Sequence, residues 1–278
     1  AMARYGGVDY VSTEEIQQIR KKEALDAPIY LQYWKWLTHA LQGDLGRSLV
    51  DGKKVSSQII QKFPATLQLA LASMGVALIL AIPIGILSGS APNSIFDHIG
   101  MSGALIGVSM PNFWLAILLL MFFSVYLEWL PVFGMGSLRH IILPSITLGT
   151  GMAALSTRLI RSSMLEVMHH NYIRTARAKG LPEWIVIGKH AFRNALIPVV
   201  TMIGLQFAHL LEGAVIVETI FAWPGLGRLL VDAIFSRDFA MIQGCALFIA
   251  VVFSLANLLV DICCAWLDPR IRYEGRLP

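Results

Sequence analysis

The sequence predicts an all-α, polytopic transmembrane bundle, and three observations carry that prediction. Hydrophobic residues make up 56% of the 278 and charged residues only 14%, against roughly half and a quarter in soluble domains. Residues 66–90, 99–127 and 239–260 contain no Asp, Glu, Lys or Arg, and each supplies the ~20 residues a helix needs to cross ~30 Å of hydrocarbon. Basic residues instead crowd into one segment, YIRTARAKGLPEWIVIGKHAFRNALIP, at 172–198.

Residues 1–65 hold nine basic and seven acidic side chains and read as a small extracytoplasmic element. STEEIQQIRKKEAL opens with Ser/Thr, places acids in its first turn and basics later, and predicts a capped helix. PIYLQYWKWLTHALQGDLG predicts a second, amphipathic and aromatic helix stopped by glycine. The three uncharged runs follow as spans. Two further spans are predicted over 141–157, which is short and rich in Gly, Ala, Ser and Thr as helix contacts in a bilayer are, and over 194–217, interrupted only by His209 and Glu212. That makes five spans in a transmembrane domain over 66–266, with a loop at 166–193 and a tail at 267–278.

Orientation comes from Lys and Arg in short loops. Arg158, Arg161, Arg174, Arg177, Lys179, Lys189 and Arg193, together with Arg270, Arg272 and Arg276 of the tail, lie on one side; Arg139, Arg228 and Arg237 lie on the other. Ten against three places the basic segment in the cytoplasm and residues 1–65 outside.

Several chemistries are disfavoured. In GRSLVDGKK, the nearest approach to a phosphate-cradling loop, Gly46 and Gly52 stand six apart where five are needed, and Lys54 replaces the magnesium-binding hydroxyl. His169 and His170 are adjacent, so on a helix they diverge by about 100°, unlike the two His four apart of a zinc helix; with Glu166 they read as solvated groups at the end of a span. Cys245, Cys263 and Cys264 match no disulfide or zinc spacing and read as small packing residues. No nucleic-acid-binding pattern is present. His209 and Glu212 share a helix face within hydrocarbon depth, where ionisable groups are costly and usually face a bundle interior or a watery path. A helix–helix hydrogen bond and a place on a translocation path both remain open for them.

The basic segment predicts helix, glycine turn, short helix and return. Gly180 supplies a left-handed cap, Pro182 sits in the first turn of the next helix, and Trp184, Ile185 and Ile187 form an apolar anchor with basic flanks. Such a shape docks on a partner, or lies on an anionic membrane surface.

This segment resembles the coupling loop of inner-membrane permeases from binding-protein-dependent ABC importers, in their dipeptide, oligopeptide and nickel branch. TARAKGL followed by H-x-x-RNA is the form typical of that branch. Arg174, Thr175 and Ala176 stand where the wider superfamily has Glu-Ala-Ala, with Gly180 in register; His190 and Phe192-Arg193 replace its later Ile and Leu-Pro. GDLGRS, PATLQLALA, GVSMPNFWLAILLLMFFSVYLEWLP, HIILPSITLG, ETIFAWPGLGRLLVDAI and LDPRIR are similar to the same branch, and the resemblance covers roughly residues 24–272.

The resemblance implies a type I-like permease with a sixth span preceding this numbering. It implies a second permease subunit, two ABC ATPase subunits carrying ATP-Mg, an extracytoplasmic solute-binding protein and the lipid bilayer as partners, with no cofactor bound by this chain and no enzyme activity of its own. Arg174, Thr175, Ala176, Arg177, Lys179, Gly180, Leu181, Pro182, Trp184 and Ile185 would couple to the ATPase, with Trp184 as the plug. The WPGLGR loop and residues 1–65 would face the solute-binding protein. The solute would be a nickel or other metal chelate, or a di- or oligopeptide; the short outer loop EWLPVFGMGSLRH leans towards nickel. The rival readings are an intramembrane metalloenzyme, which needs a third ligand beside His209 and Glu212, and a simple channel, which gives no reason for the basic loop.

Overall fold

The computed structural model describes residues 27–267, apart from the side chains at 197, 211–213 and 264. The expected helix over 12–25 and the 268–278 part of the tail therefore lie outside the described residues. α1 (Ile29–Leu41) is the expected aromatic helix, and Gly43, at φ +81°, closes it as glycine can.

α2 (Val55–Ser90) has 36 residues, about 54 Å of helix at 1.5 Å per residue. It starts well before the uncharged run at 66, because a rod that outlasts ~30 Å of hydrocarbon can carry Lys62 beyond it. The boundary expected at 65/66 thus falls inside a helix.

The uncharged run 99–127 is not one straight span. α3 (Ile95–Ser109) and α4 (Asn112–Leu119), continued by a π-helical stretch Leu120–Tyr126, meet at a bend of 103°. Proline explains the break: the ring of Pro111 disfavours the helical region for the residue before it, and Met110 takes ψ 122°.

α5 (Leu138–Met168) extends the short span expected over 141–157 by more than two turns. Arg158 and Arg161, counted above as loop residues, belong to it. α6 (Asn171–Ala178) and a three-residue turn α7 (Glu183–Ile185) follow, then a π-helical stretch Val186–Phe192 and α8 (Arg193–Gly213). The helical path Glu183–Leu210 bends by 53° near Pro198. α9 (Val215–Ile220), α10 (Leu226–Phe235) and α11 (Phe239–Leu267) complete the chain.

α2 and α5 run parallel and make the central contact. Ala70, Ser73, Ala77, Ala81, Gly85 and Gly89 are buried along one stripe of α2 at spacings of three and four. A Cβ at Gly85 would meet Ile160 Cβ at 2.6 Å, and one at Gly149 would meet the Ser73 carbonyl at 2.7 Å. Small residues let these backbones approach closely, as lipid-embedded helices require when no hydrophobic effect drives them together. α3, α4 and α8 surround α5, and α11 packs on α8. At the end opposite the basic segment a second apolar cluster, Val55, Ile59, Leu226, Ala233, Met241 and Cys245, joins α2, α10 and α11.

Candidate functional site

The basic end is built on a rigid turn. α6 buries Ile173 and Ala176 and exposes Arg174, Thr175, Arg177 and Lys179. Lys179 caps it, Gly180 takes φ +73° and Leu181 follows. The Gly180 N–H donates to the Arg177 carbonyl at 2.9 Å and the Leu181 N–H to the Ala176 carbonyl at 3.4 Å. That pair of bonds is a Schellman closure, in which the residue after the glycine packs back on the helix, and Leu181 does join the core.

Pro182 stands one place before the next turn, at φ −66° and ψ 146°. Arg177 clasps Glu183 across the bend, Nη2 to Oε1 at 2.5 Å and Nε to Oε2 at 3.2 Å. Val186 and Ala191 are fully buried and Ile187 is packed against the core. Trp184 is the exception: 75% of its surface is exposed, although indole is among the most costly groups to leave uncovered.

The expected apolar anchor therefore divides. Trp184 projects, Ile185 is half-buried, and Ile187 holds the turn to the bundle. Ala176, placed by the resemblance among the coupling residues, faces inward. The expected separate short helix and return is instead a turn that runs directly through the π-helical stretch into α8, with no loop between Trp184 and that helix.

Of the membrane-depth pair, His209 is exposed on α8 with its ring 5.6 Å from that of Phe253 on α11; the Glu212 side chain lies outside the described residues. Among the described residues no three of His, Cys, Asp and Glu gather closely enough to hold a metal ion.

Two charged groups carry structure that sequence inspection passed over. Asp97, 3% exposed, receives Arg161 Nε and Nη2 at 2.5 and 2.8 Å and the Asn93 N–H at 2.9 Å, tying α3 to α5 at the basic end. Glu218, fully buried, accepts the Thr66 hydroxyl at 2.7 Å at the other end. The available signal was an acid beside apolar neighbours, NSIFDHIG and AVIVETIF.

Residues 81–273, well over half of the chain, match the family model described as the binding-protein-dependent transport system inner membrane component. Over 259 residues, 93% of this chain and 85% of the relative, it is 47% identical to the glutathione transport system permease protein GsiC of Salmonella paratyphi A and 48% identical to that of Pectobacterium atrosepticum. The counterpart from Escherichia coli K12 is 46% identical over the same shares. Among solved structures, an inward-facing MetNI methionine ABC transporter aligns with a TM-score of 0.64, covering 76% of this chain and 96% of that one at 17% identity, which is a likeness of fold. An amino acid ABC transporter aligns at 0.58, with 77% and 94% covered and 15% identity. The apolar helices, the family match and the curated relatives make the chain a multi-pass inner-membrane protein that is not itself an enzyme, ATP hydrolysis residing in separate subunits. The chain belongs to the family of binding-protein-dependent transport system inner membrane components, as a permease subunit of an ABC importer.

Proposed function

We propose that this permease moves a small peptide of the glutathione class, and that Trp184 on its Gly180 turn is the part through which an ATPase subunit drives it. The solute class is supported by the printed function of relatives that share nearly half of this sequence. In this reading it carries more weight than the lean towards nickel that one short loop supplied.

The coupling role rests on one observation: a Trp that is 75% exposed at the tip of a turn whose Leu181, Val186, Ile187 and Ala191 are held by the bundle. An indole presented in this way fits a groove on a partner. Arg174, Thr175, Lys179, Pro182 and Ile185 frame it, Arg177 and Leu181 brace it, and Ala176 and Gly180 set its angle. Two ATPase subunits closing on ATP would push two such turns, one on this chain and one on a second permease subunit. Because α7 continues into α8, the push would tilt a spanning helix and open the path alternately. The basic end is then cytoplasmic, the opposite end meets a solute-binding protein, and ATP-Mg stays on the partners.

The test is solute-stimulated ATP hydrolysis by the reconstituted complex. Gly180→Leu and Trp184→Ala are each expected to leave the permease inserted and assembled and to remove the stimulation. Undiminished stimulation in both would make the turn a mere surface element. Orientation is checked with single cysteines in a cysteine-free background: Lys53→Cys should react with an impermeant thiol reagent applied outside, and Arg177→Cys only after the membrane is opened. Uptake of glutathione, another tripeptide, a dipeptide and nickel-histidine, measured in parallel, checks the solute; uptake of nickel-histidine alone would overturn the peptide assignment. On the same reading His209 and Glu212 touch the passing solute weakly, since conducting sites must release what they bind. His209→Gln with Glu212→Gln should lower uptake without loss of assembly; full uptake would make the pair a packing contact.

A further inference from the structure

At the end opposite the basic turn, α9 and α10 form a cap over the bundle. α9 touches α4 and α5, and α10 touches α2 and α11; the Phe221 carbonyl also accepts the Gly134 N–H at 2.9 Å, drawing in the loop before α5. The helices bounding this end cannot separate without moving the cap.

The polar joint between cap and α2 is concentrated on two consecutive residues. Thr66 Oγ1 donates to Glu218 Oε1 at 2.7 Å and accepts the Leu226 N–H at 2.8 Å. Trp223 Nε1 donates to the Ala65 carbonyl at 2.8 Å. Glu218 Oε2 accepts the Arg228 N–H at 3.1 Å, so the carboxylate sits at the N-terminus of α10, where unpaired N–H groups and the helix dipole favour an anion. Gly225 and Gly227 make room for it, since a Cβ at either would crowd its oxygens. Pro64, immediately before the joint, cannot donate to the ladder of α2.

Among the described residues no cation pairs with this carboxylate. The Arg228 guanidinium turns away, Nη1 donating to the Ala222 carbonyl at 2.7 Å and Nε lying 3.8 Å from Asp232. A buried charge balanced only by dipoles is a poor permanent staple, because apolar residues of equal volume would hold two helices with less desolvation cost. Its broken state is favourable in a way an apolar joint's is not: carboxylate, hydroxyl and indole N–H all regain water. Such a joint suits parts that meet and part repeatedly.

We propose that Glu218 and Thr66 form a latch that holds the α9–α10 cap on α2 while this end of the path is closed and releases it when the path opens. It lies far from the Trp184 turn and does not depend on the solute class.

The test uses the reconstituted complex with Cys245, Cys263 and Cys264 replaced by Ala. In a Thr66→Cys and Leu226→Cys pair, oxidation should form a cross-link and cut uptake at least about ten-fold, because a locked state removes the alternative from the equilibrium; reductant should restore it. Each single-cysteine variant should be indifferent to oxidant. Unchanged uptake with the cross-link formed would overturn the latch. Thr66→Val keeps the shape and removes the hydroxyl. The latch predicts solute-independent ATP hydrolysis raised about two-fold or more in assembled complex, whereas a static staple predicts lower yield and unchanged hydrolysis.

Discussion

Arg177 and Glu183 face each other across the Gly180 turn with both guanidinium–carboxylate contacts made, although each side chain is about half exposed. Exposed pairs of this kind contribute roughly 0–1 kcal/mol, so the clasp adds little stability. Its geometry is what matters, because two parallel contacts fix an angle that one flexible contact would not. Glu183 adjoins Trp184, and the clasp therefore sets the direction in which the indole projects. Arg177→Ala and Glu183→Ala should each leave assembly intact and lower solute-stimulated ATP hydrolysis several-fold, and the exchange Arg177→Glu with Glu183→Arg should recover part of it. Wild-type stimulation in both single variants would show that the Schellman closure alone holds the angle.

Asp97 and Arg161 form the opposite kind of pair, with side chains only 4% and 27% exposed. Removing one partner of a buried pair costs on the order of 3–5 kcal/mol because the other charge is stranded; water reaching Arg161 should place this case at or below the lower end. Asp97→Asn is expected to lower the apparent thermal midpoint of the detergent-solubilised permease more than Asp97→Asn combined with Arg161→Gln. A double variant no more stable than the single would mean that the pair contributes through hydrogen bonds to Asn93 rather than through charge.

Glycine packing gives a sharper contrast within one class of substitution. A Cβ at Gly149 would lie 2.7 Å from the Ser73 carbonyl and 2.9 Å from Val76 Cβ, whereas nothing lies within 4 Å of one at Gly103. Gly149→Ala should cost about 1–3 kcal/mol as overpacking does, read as lower yield and a lower thermal midpoint. Gly103→Ala should be neutral or slightly stabilising, since alanine is the better helix former. Equal losses at both positions would remove the close α2–α5 approach as an explanation.

The bundle was legible in the sequence because run length and charge are one-dimensional quantities. They placed the hydrocarbon-crossing parts of α2, α5 and α11, and Gly180 announced its positive φ by being glycine. They could not show where α2 begins, since a helix that leaves the membrane meets no compositional edge at Thr66. The bend at Pro111 was visible as a residue and invisible as an outcome, because proline in a membrane helix is often absorbed without a break. Trp184 and Ile187 looked alike as apolar residues three apart; only the turn's attachment through Val186 and Ala191 decided which projects. Glu218 escaped notice for a different reason. Its partner Thr66 is 152 residues away, and the apolar neighbours that hint at burial say nothing of which residue it meets.

The buried position of Glu218 also has a pH signature. Burial pushes its carboxyl above the ordinary value of 4.5, against the Thr66 hydroxyl and the Arg228 and Gly227 N–H groups, which pull it down. A carboxyl raised in the folded chain binds its proton more tightly there than in the unfolded chain. Its contribution to stability is therefore fully present below 4.5 and declines as pH rises through the folded value, then stays constant. Glu218→Gln removes the titration while keeping the volume. The thermal midpoint of wild-type complex minus that of Glu218→Gln, scanned at one fixed rate between about pH 4 and 8, should fall with rising pH and then level off. A difference that is flat across this range, or that rises, would show that the N-terminus of α10 and Thr66 hold the carboxylate strongly enough to outweigh its burial.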